Sequence, residues 1–468
     1  MTYFNPAKIM LILVLILISY DSLCQNRFYT IDTIVIKGNN ITHPSIIIRE
    51  LTFKQGDTIA QNRLSKGLEI TTNNLKNLSL FNFITVNADT TNTKDNRITI
   101  SVDVIERWYI WPYPIIDVAD RNFNSWWKSR NMDHISYGFY VQADNFRGRA
   151  EQLMVLFKWG FDRRLEIKYT IPNLNSKKTL GLSVKTGFMR NHEVALKTNP
   201  DNSITFLKSK NNYLREQLQA EITLTYRPGY FNQHSFSAGW INETLNDSMA
   251  YLEPNLWLKG TVTYINLRYQ YRLDKRDYKH YPLKGYYFDI SAESFLNTTN
   301  NSFSSTFWEL ESNGRYYDQF SKNWYLSTGL YSKVISNEKV PYFLTDGLGN
   351  GRNFVRGYEY YLINGQQFAV GKIILKYALI PSSTHEIQWL NNIKFSKIHY
   401  ALYLSLFTDH GIAFNQIKAF DSMLSNKWLS SIGIGLDFVT YYDRVFRLEY
   451  TLNKEKESGF YLHFIAPI

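Results

Sequence analysis

Side chains that could do chemistry are few and scattered in this chain of 468 residues. The nine histidines lack the spacing of zinc ligands, and His410 is expected only to line an interior surface. Gly347, Gly349 and Gly351 precede neither a Lys-Ser or Lys-Thr pair nor a helical pattern, so they predict no phosphate-binding loop. The sequence therefore predicts no metal, no cofactor and no catalytic centre, which favours a protein that is not an enzyme.

The composition points to a membrane surface. The chain has 34 Tyr, 30 Phe and 11 Trp, an excess typical of aromatic girdles. Its net charge of +11 is not accompanied by a basic cluster, so anionic lipopolysaccharide and outer-membrane lipid are expected partners and nucleic acid is not. A single cysteine excludes a disulfide scaffold.

The N-terminal 24 residues resemble a secretory signal peptide. Lys8 precedes the apolar stretch Ile9 to Ile18, and a polar end leads to Cys24 and Gln25. The stretch is shorter than the roughly 20 residues of a spanning helix. Cleavage before Gln25 would remove the only cysteine and exclude thiolate catalysis. The alternative is a lipoprotein acylated on Cys24, although the residues just before it are unusual for one.

Residues 28–106 predict a small α+β domain. A strand near 31–36, helices near 44–51 and 61–78, and strands near 81–88 and 97–105 give the order β-α-α-β-β. The pattern is similar to a POTRA (polypeptide-transport-associated) domain at Ile36-Lys37-Gly38-Asn39, Ile48-Arg49-Glu50-Leu51, Gly56-Asp57, Asn74-Leu75 and Leu80-Phe81. The resemblance implies a periplasmic location. Residues 107–134 are expected to be an aromatic linker, with a ligand-stacking platform at Trp108 to Pro114 as the alternative.

From residue 135 to 468 the sequence alternates apolar and polar residues in long runs. In one of them Phe446, Leu448, Tyr450 and Leu452 alternate with charged and polar residues. Runs of about 9 to 11 residues can cross a bilayer only as a closed barrel, because every backbone amide must be paired in hydrocarbon. We expect an all-β transmembrane barrel of about 16 antiparallel strands. The alternating runs that can be identified in the sequence are one fewer than this number, and the remaining strand is expected between residues 189 and 260.

Several motifs in this region resemble the BamA and TamA superfamily of outer-membrane insertases and translocases. The segment Val355-Arg356-Gly357-Tyr358 is similar to that superfamily's loop signature, and Phe407-Thr408-Asp409-His410-Gly411 to its Phe-x-Asp-x-Gly strand. The resemblance implies that Arg356 folds into the lumen and forms two parallel charge-assisted bonds with Asp409. The position expected to supply a second acidic partner is Lys376, and Asp437 is the candidate replacement.

Two further motifs carry the resemblance. The turn residues Asp274, Arg276, Asp277, Pro282 and Gly285 match a tight turn of the same superfamily. Gly459, Leu462 and Phe464 have the spacing of the signal by which outer-membrane barrels are recognised for assembly, and Pro467 is expected to weaken the seam between the first and last strands.

The resemblance implies an insertase or translocase in the bacterial outer membrane. A POTRA sheet edge would receive client outer-membrane or secreted proteins, a lateral barrel seam would admit them, and accessory lipoproteins could dock. The alternatives are a diffusion pore or structural barrel without insertase activity, and a two-partner-secretion pore, although such pores usually have two POTRA domains and a plug helix.

Overall fold

The computed structural model describes residues 27–90, 96–118, 127, 135–160, 162–209, 211–299, 306–336, 342, 347–349, 353–387, 396–416, 422–440 and 444–464. The expected signal peptide and Pro467 lie outside these residues. The chain divides into two compact units: residues 1–40 with 47–105, and residues 41–46 with 106–468. None of the described helices combines the length and apolarity that a bilayer-crossing helix needs.

The first unit is built on a four-stranded sheet with the strand order β2-β1-β4-β3. Its elements are β1 (Phe28–Lys37), α1 (Pro44–Glu50), β2 (Thr58–Ala60), α2 (Gln61–Lys76), β3 (Phe81–Asp89) and β4 (Arg97–Glu106). β1 and β4 are parallel, with Ile34 opposite Ile100. Buried apolar residues of strands and helix, such as Ile31, Leu75 and Val102, form the interior. The predicted α+β fold is confirmed, with the short strand β2 in addition.

The second unit is an antiparallel sheet of 16 strands, as the sequence predicts. In sheet order the strands are β5 (Ile110–Val118), β6 (Ile135–Phe146), β7 (Glu151–Gly160), β8 (Asp162–Ile171), β9 (Leu180–Asn191), β12 (Arg215–Tyr226), β13 (Asn232–Leu245), β14 (Gly260–Asp274), β15 (Gly285–Asn297), β16 (Phe307–Ser321), β17 (Trp324–Ile335), β18 (Gln367–Glu386), β19 (Lys397–Phe414), β20 (Leu429–Thr440), β21 (Arg444–Asn453) and β22 (Ser458–His463). A separate hairpin of β10 (Glu193–Thr198) and β11 (Ile204–Lys208) and the helix α3 (Asp247–Leu252) lie in the connections.

The first strand of this sheet is not where the sequence predicts it. Ile110–Val118 pairs with β6 and therefore belongs to the sheet, although this segment is expected to be a linker. Between residues 189 and 260 the additional strands β10 and β11 form their own two-stranded sheet. The sequence does not predict this strand because it contains Pro112 and Pro114, and proline is tolerated in a sheet only at an edge or a bulge.

The exposure of side chains on this sheet is the reverse of that in a soluble protein, because apolar side chains are exposed and charged side chains are buried. On β21, the side chains of Leu448 and Leu452 are 49% and 46% exposed, whereas those of Arg447 and Glu449 are 4% and 1% exposed. Apolar residues thus face outward and charged residues face inward, which is the pattern of a barrel wall between lipid and a polar lumen. The Arg444 guanidinium of β21, the strand next to β22, lies 5.1 Å from the ring centre of Tyr113 on β5, so the two sides of the sheet come close together here.

Candidate functional site

The connection between β17 and β18 places Arg356 among inward carboxylates. The Arg356 side chain is 3% exposed and that of Asp409 is 0% exposed. Arg356 Nε donates to Asp409 Oδ2 at 2.8 Å, Nη2 donates to Oδ1 at 2.5 Å, and the backbone N–H of Arg356 donates to Oδ2 at 3.1 Å. These two residues, which the sequence pairs, therefore meet as a bidentate ion pair with an additional backbone bond.

The second carboxylate on Arg356 is Glu449, which the sequence reasoning missed. Arg356 Nη1 donates to Glu449 Oε1 at 2.8 Å. Asp437, the expected substitute, is also inward and buried but binds Arg447 instead, with Nε to Oδ1 at 2.6 Å and Nη2 to Oδ2 at 2.8 Å. Lys376 is 2% exposed, and its Nζ lies 4.2 Å from the ring centre of Tyr281. Burial alone would lower the pKa of Arg356, but Asp409 and Glu449 outweigh this effect and raise the pKa, so the guanidinium stays charged.

Alternate residues of β19 form the surface that receives the loop. The guanidinium carbon of Arg356 lies 3.6 Å from the ring centre of Phe407, a cation–π contact beside the ion pair with Asp409. Two residues further on, a Cβ added to Gly411 would lie 2.4 Å from Val355 Cγ2. Val355 is 1% exposed and packs with Tyr358 in a buried apolar cluster. The spacing Phe-x-Asp-x-Gly therefore places three residues on the same face of β19. They provide an aromatic ring for the guanidinium, a carboxylate for the ion pair and room for the side chain of Val355.

The loop also binds the last two strands. Glu359 Oε1 lies 3.3 Å from His463 Nε2 of β22, and Glu449 Oε2 lies 3.1 Å from the same nitrogen. Tyr361 donates its hydroxyl to Glu457 at 2.5 Å, and Asn453 Nδ2 donates to the carbonyl oxygen of Gly357 at 2.9 Å. The loop is thus bound to β21, to β22 and to the turn between them.

Glu359, Glu449 and His463 are also residue types that can ligate a metal, and one ligand atom from each lies within 4.8 Å of the others. The sequence reasoning expected no such group, because the three residues are far apart in the chain. Arg356 and Arg447 both lie against Glu449 Oε1, at 2.8 and 3.7 Å. This positive charge disfavours a divalent cation, and His463 already lies between the two carboxylates.

A second segment, the turn between β14 and β15, enters from the opposite end of the sheet. Asp274 and Arg276 form a two-bond ion pair, with Nε to Oδ1 and Nη2 to Oδ2 both at 2.8 Å. Asp277 Oδ1 accepts the backbone N–H of Leu283 at 3.1 Å. Gly285 has a φ of +98°, and an added Cβ would lie 2.1 Å from a backbone oxygen, so this corner requires glycine.

The tip of this turn inserts into the lumen. Pro282 is buried next to Tyr281, which is 4% exposed. Tyr281 donates its hydroxyl to Asp437 Oδ2 at 2.7 Å, and its ring lies 5.0 Å from that of Tyr403. Arg447 then links the two inserted segments, because it holds Asp437 on one side and approaches Glu449 Oε1 to 3.7 Å on the other.

The expected assembly-signal residues lie on or beside β22. Leu462 and Phe464 are 37% and 53% exposed on the outer face, and Gly459 lies near the start of the strand. β22 and β5 are the two ends of the hydrogen-bonded strand order. The end strands are therefore β22 and residues 110–118, whereas the sequence analysis places the first barrel strand after residue 134.

The register between β5 and β6 determines which backbone groups of β5 bond to β6 and which point away from it. The backbone N–H of Asp144 donates to the carbonyl oxygen of Tyr109 at 2.8 Å, so every second residue from Tyr109 onward bonds to β6. The intervening residues, including Pro112 and Pro114, direct their backbone groups to the seam. Proline has no N–H, so this edge lacks two donors at alternate positions.

The fold and these contacts define a class of protein, a transmembrane-type β-barrel with a loop bound in its lumen, preceded by a small α+β domain. A model of the Omp85 superfamily domain matches residues 145–464. A POTRA model, described as a surface antigen variable number repeat, matches residues 29–107. The chain belongs to the Omp85 superfamily, with a single POTRA domain and an outer-membrane β-barrel.

Two solved structures share the fold. BamA from Haemophilus ducreyi lacking POTRA domains 1–3 is 13% identical, with a TM-score of 0.52, over 93% of this chain and 83% of that chain. CdiB from Escherichia coli is 9% identical, with a TM-score of 0.56, over 93% of this chain and 75% of that chain. No curated protein sequence matches the chain.

Proposed function

We propose that this protein assists the insertion or translocation of client proteins at the bacterial outer membrane, with its POTRA domain in the periplasm and without an enzymatic step. The observation that supports the proposal is the break in the strand ladder between β22 and β5, the two ends of the hydrogen-bonded strand order. On the β5 side of this break two prolines lack the N–H groups, each worth about 1 kcal/mol, with which β5 could pair across it. A junction that separates easily is what a client strand needs in order to enter.

The POTRA sheet supplies a place where a client could bind first. β3 is at one end of that sheet, and Val86 lies on it, partly buried. An edge strand can add an extended segment by backbone hydrogen bonds, largely independently of its side chains. We propose that unfolded outer-membrane or secreted proteins dock there. Accessory lipoproteins and lipopolysaccharide remain further candidate partners.

The proposed role of the loop residues is structural. Val355 to Tyr358 and Asp409, with Glu449 added, would lock the loop inside the barrel, while the turn from Asp274 to Gly285 fills the lumen from the other end. Inserted segments at both ends support an insertase or translocase over an open diffusion pore. The proposed domain division is a signal peptide at 1–24, a POTRA domain at 28–106, and a barrel that includes residues 110–118.

A photoreactive residue at Val86 tests client binding in native membranes. The matched control is the same residue at Ser101, which is also partly buried but lies on β4, between β1 and β3. We expect protein adducts at Val86 and few at Ser101, and deletion of the gene should leave unassembled barrels in the periplasm. If only lipid and solvent adducts form at Val86, and deletion changes only permeability, the structural or pore alternative holds.

A further inference from the structure

Two arginines on the outer face of the wall lie directly opposite each other on neighbouring strands. Arg163 of β8 pairs in register with Arg190 of β9. Two residues along the same strands, Leu165 and Phe188 are also opposite each other, and both are exposed on the outer face. Like charges directly opposite destabilise a sheet, and an anion bound to both would offset this cost.

The two charges are unequally neutralised. Arg190 Nε donates to Glu216 Oε2 at 2.7 Å, in an ion pair on the same outer face. Within the part of the chain that the structure describes, Arg163 has no carboxylate partner, and its Nη1 donates to the Tyr213 hydroxyl at 2.6 Å. The pair of arginines with Glu216 therefore keeps a net positive charge.

Aromatic rings hold both guanidinium groups in place. The guanidinium carbon of Arg163 lies 4.1 Å from the ring centre of Trp159 and 5.5 Å from that of Tyr213. That of Arg190 lies 4.9 Å from the same Tyr213 ring and 4.8 Å from Phe188. Cation–π contacts of this kind orient a guanidinium and leave its remaining N–H groups able to bind an oxyanion. We call Trp159, Arg163, Arg190 and Tyr213 the outer arginine site.

The outer arginine site lies on the side of the wall that the chain reaches after crossing it. Three residues separate the end of β4 at Glu106 from the start of β5 at Ile110. Because antiparallel strands alternate in direction, β7 ends, β8 begins and β9 ends on the side opposite the start of β5. With the POTRA domain in the periplasm, as proposed above, that side borders the outer leaflet.

We propose that the outer arginine site binds the phosphate group of a lipid of the outer leaflet, in the class of the phosphorylated glycolipid lipopolysaccharide. Guanidinium groups bind phosphate through two parallel charge-assisted hydrogen bonds. Leu165 and Phe188, one step further into the membrane, contact the acyl chains. The inference rests on the proposed function only for the location of the POTRA domain, and it is independent of client handling.

Titration of the full chain in detergent micelles, followed by native mass spectrometry, tests the site. The probe is lipid A, the phosphorylated lipid part of lipopolysaccharide, and the matched ligand is the same lipid with its phosphates removed. We expect the phosphorylated lipid to bind at least about tenfold more tightly, because each basic side chain near the surface favours an anionic headgroup. Arg163→Gln with Arg190→Gln should abolish this preference.

The control variant removes the same charge at the opposite side of the wall. It is Arg227→Gln with Lys275→Gln, where the Lys275 Nζ lies 5.6 Å from the ring centre of Phe231. It should keep the tenfold preference. Heat-modifiable gel migration shows whether each variant is a folded barrel, and the comparison of the two lipids on the unaltered chain requires no variant.

Three results overturn the proposal: equal affinity of the unaltered chain for both lipids, retention of the preference in the folded double arginine variant, and an equal loss in the control. Displacement of lipid A by an equal concentration of inorganic phosphate also overturns it, since the site would then bind a free anion. Client adducts at Val86 are measured separately, so failure of this site is distinguished from failure of the proposed function.

Discussion

Replacing Arg356 by Met should release the loop. The change removes the guanidinium from Asp409 and Glu449, which are buried at 0% and 1% side-chain exposure, and leaves them the longer contacts with Lys372 at 3.6 Å and Arg447 at 3.7 Å. Because these cations compensate part of the charge, we expect a cost near the lower end of the about 3 to 5 kcal/mol for breaking a buried pair. Since about 1.4 kcal/mol corresponds to a factor of ten, the open population of the loop should rise at least about a hundredfold.

Hydrogen–deuterium exchange of the full chain in micelles measures this directly. The amides to follow are Leu362, whose N–H donates to the carbonyl oxygen of Asn202 at 3.2 Å, and Ile363, whose N–H donates to that of Leu348 at 2.8 Å. The control is Arg190→Met, because Arg190 pairs with Glu216 at 2.7 Å while 40% and 35% exposed, and such surface pairs contribute little. Unchanged exchange at both amides in the Arg356 variant would refute the lock.

Three further outcomes are expected. Gly411→Ala should destabilise the docked loop by about 1 to 3 kcal/mol through overlap with Val355, whereas Gly371→Ala, where an added Cβ meets nothing within 4 Å, should not change its exchange rate. Tyr281→Phe should weaken the docked turn by about 1.5 to 3 kcal/mol through loss of a bond to a buried carboxylate, seen as faster tryptic cleavage within residues 275–284. Burial raises the pKa of Glu359 from 4.5 to about 7, so the contribution of this carboxyl group to loop docking should fall by at most about 3 kcal/mol as pH rises from about 4.5 to 7 and then stay constant. In Glu359→Gln this contribution disappears, and the difference between the two proteins is measured by exchange rates corrected for their intrinsic pH dependence.

The wall of the barrel could be predicted because its residues obey a single period. In β21 the outward positions from Phe446 to Leu452 are apolar and the inward positions from Arg447 to Asn453 are polar, so alternation alone gives the strand and its faces. The same alternation rule did not predict β5. Its two prolines contradict strand propensity, and only the position of β5 at the edge of the sheet makes them acceptable.

Only one of the two carboxylate partners of Arg356 could be predicted from the sequence. Asp409 is part of a local motif, and its inward direction follows from alternation. Whether Glu449 or Asp437 stands at the height of the loop depends on the tilt and stagger of neighbouring strands, which a linear sequence does not contain. The structure pairs Asp437 with Arg447 opposite it on the next strand, so that carboxylate is already neutralised.

The distribution of contacts indicates which side of the seam moves. The loop binds Asp409 on β19, Glu449 on β21 and His463 on β22, and Arg447 joins this set to the turn that inserts from the other end. Moving β22 outward would break its ladder to β21 and its contacts with the loop together. Moving β5 outward leaves every one of these bonds intact and requires release of the exposed contact of Arg444 with Tyr113. We therefore propose that opening of the wall at this place moves β5 and leaves β22 bound to β21 and to the loop.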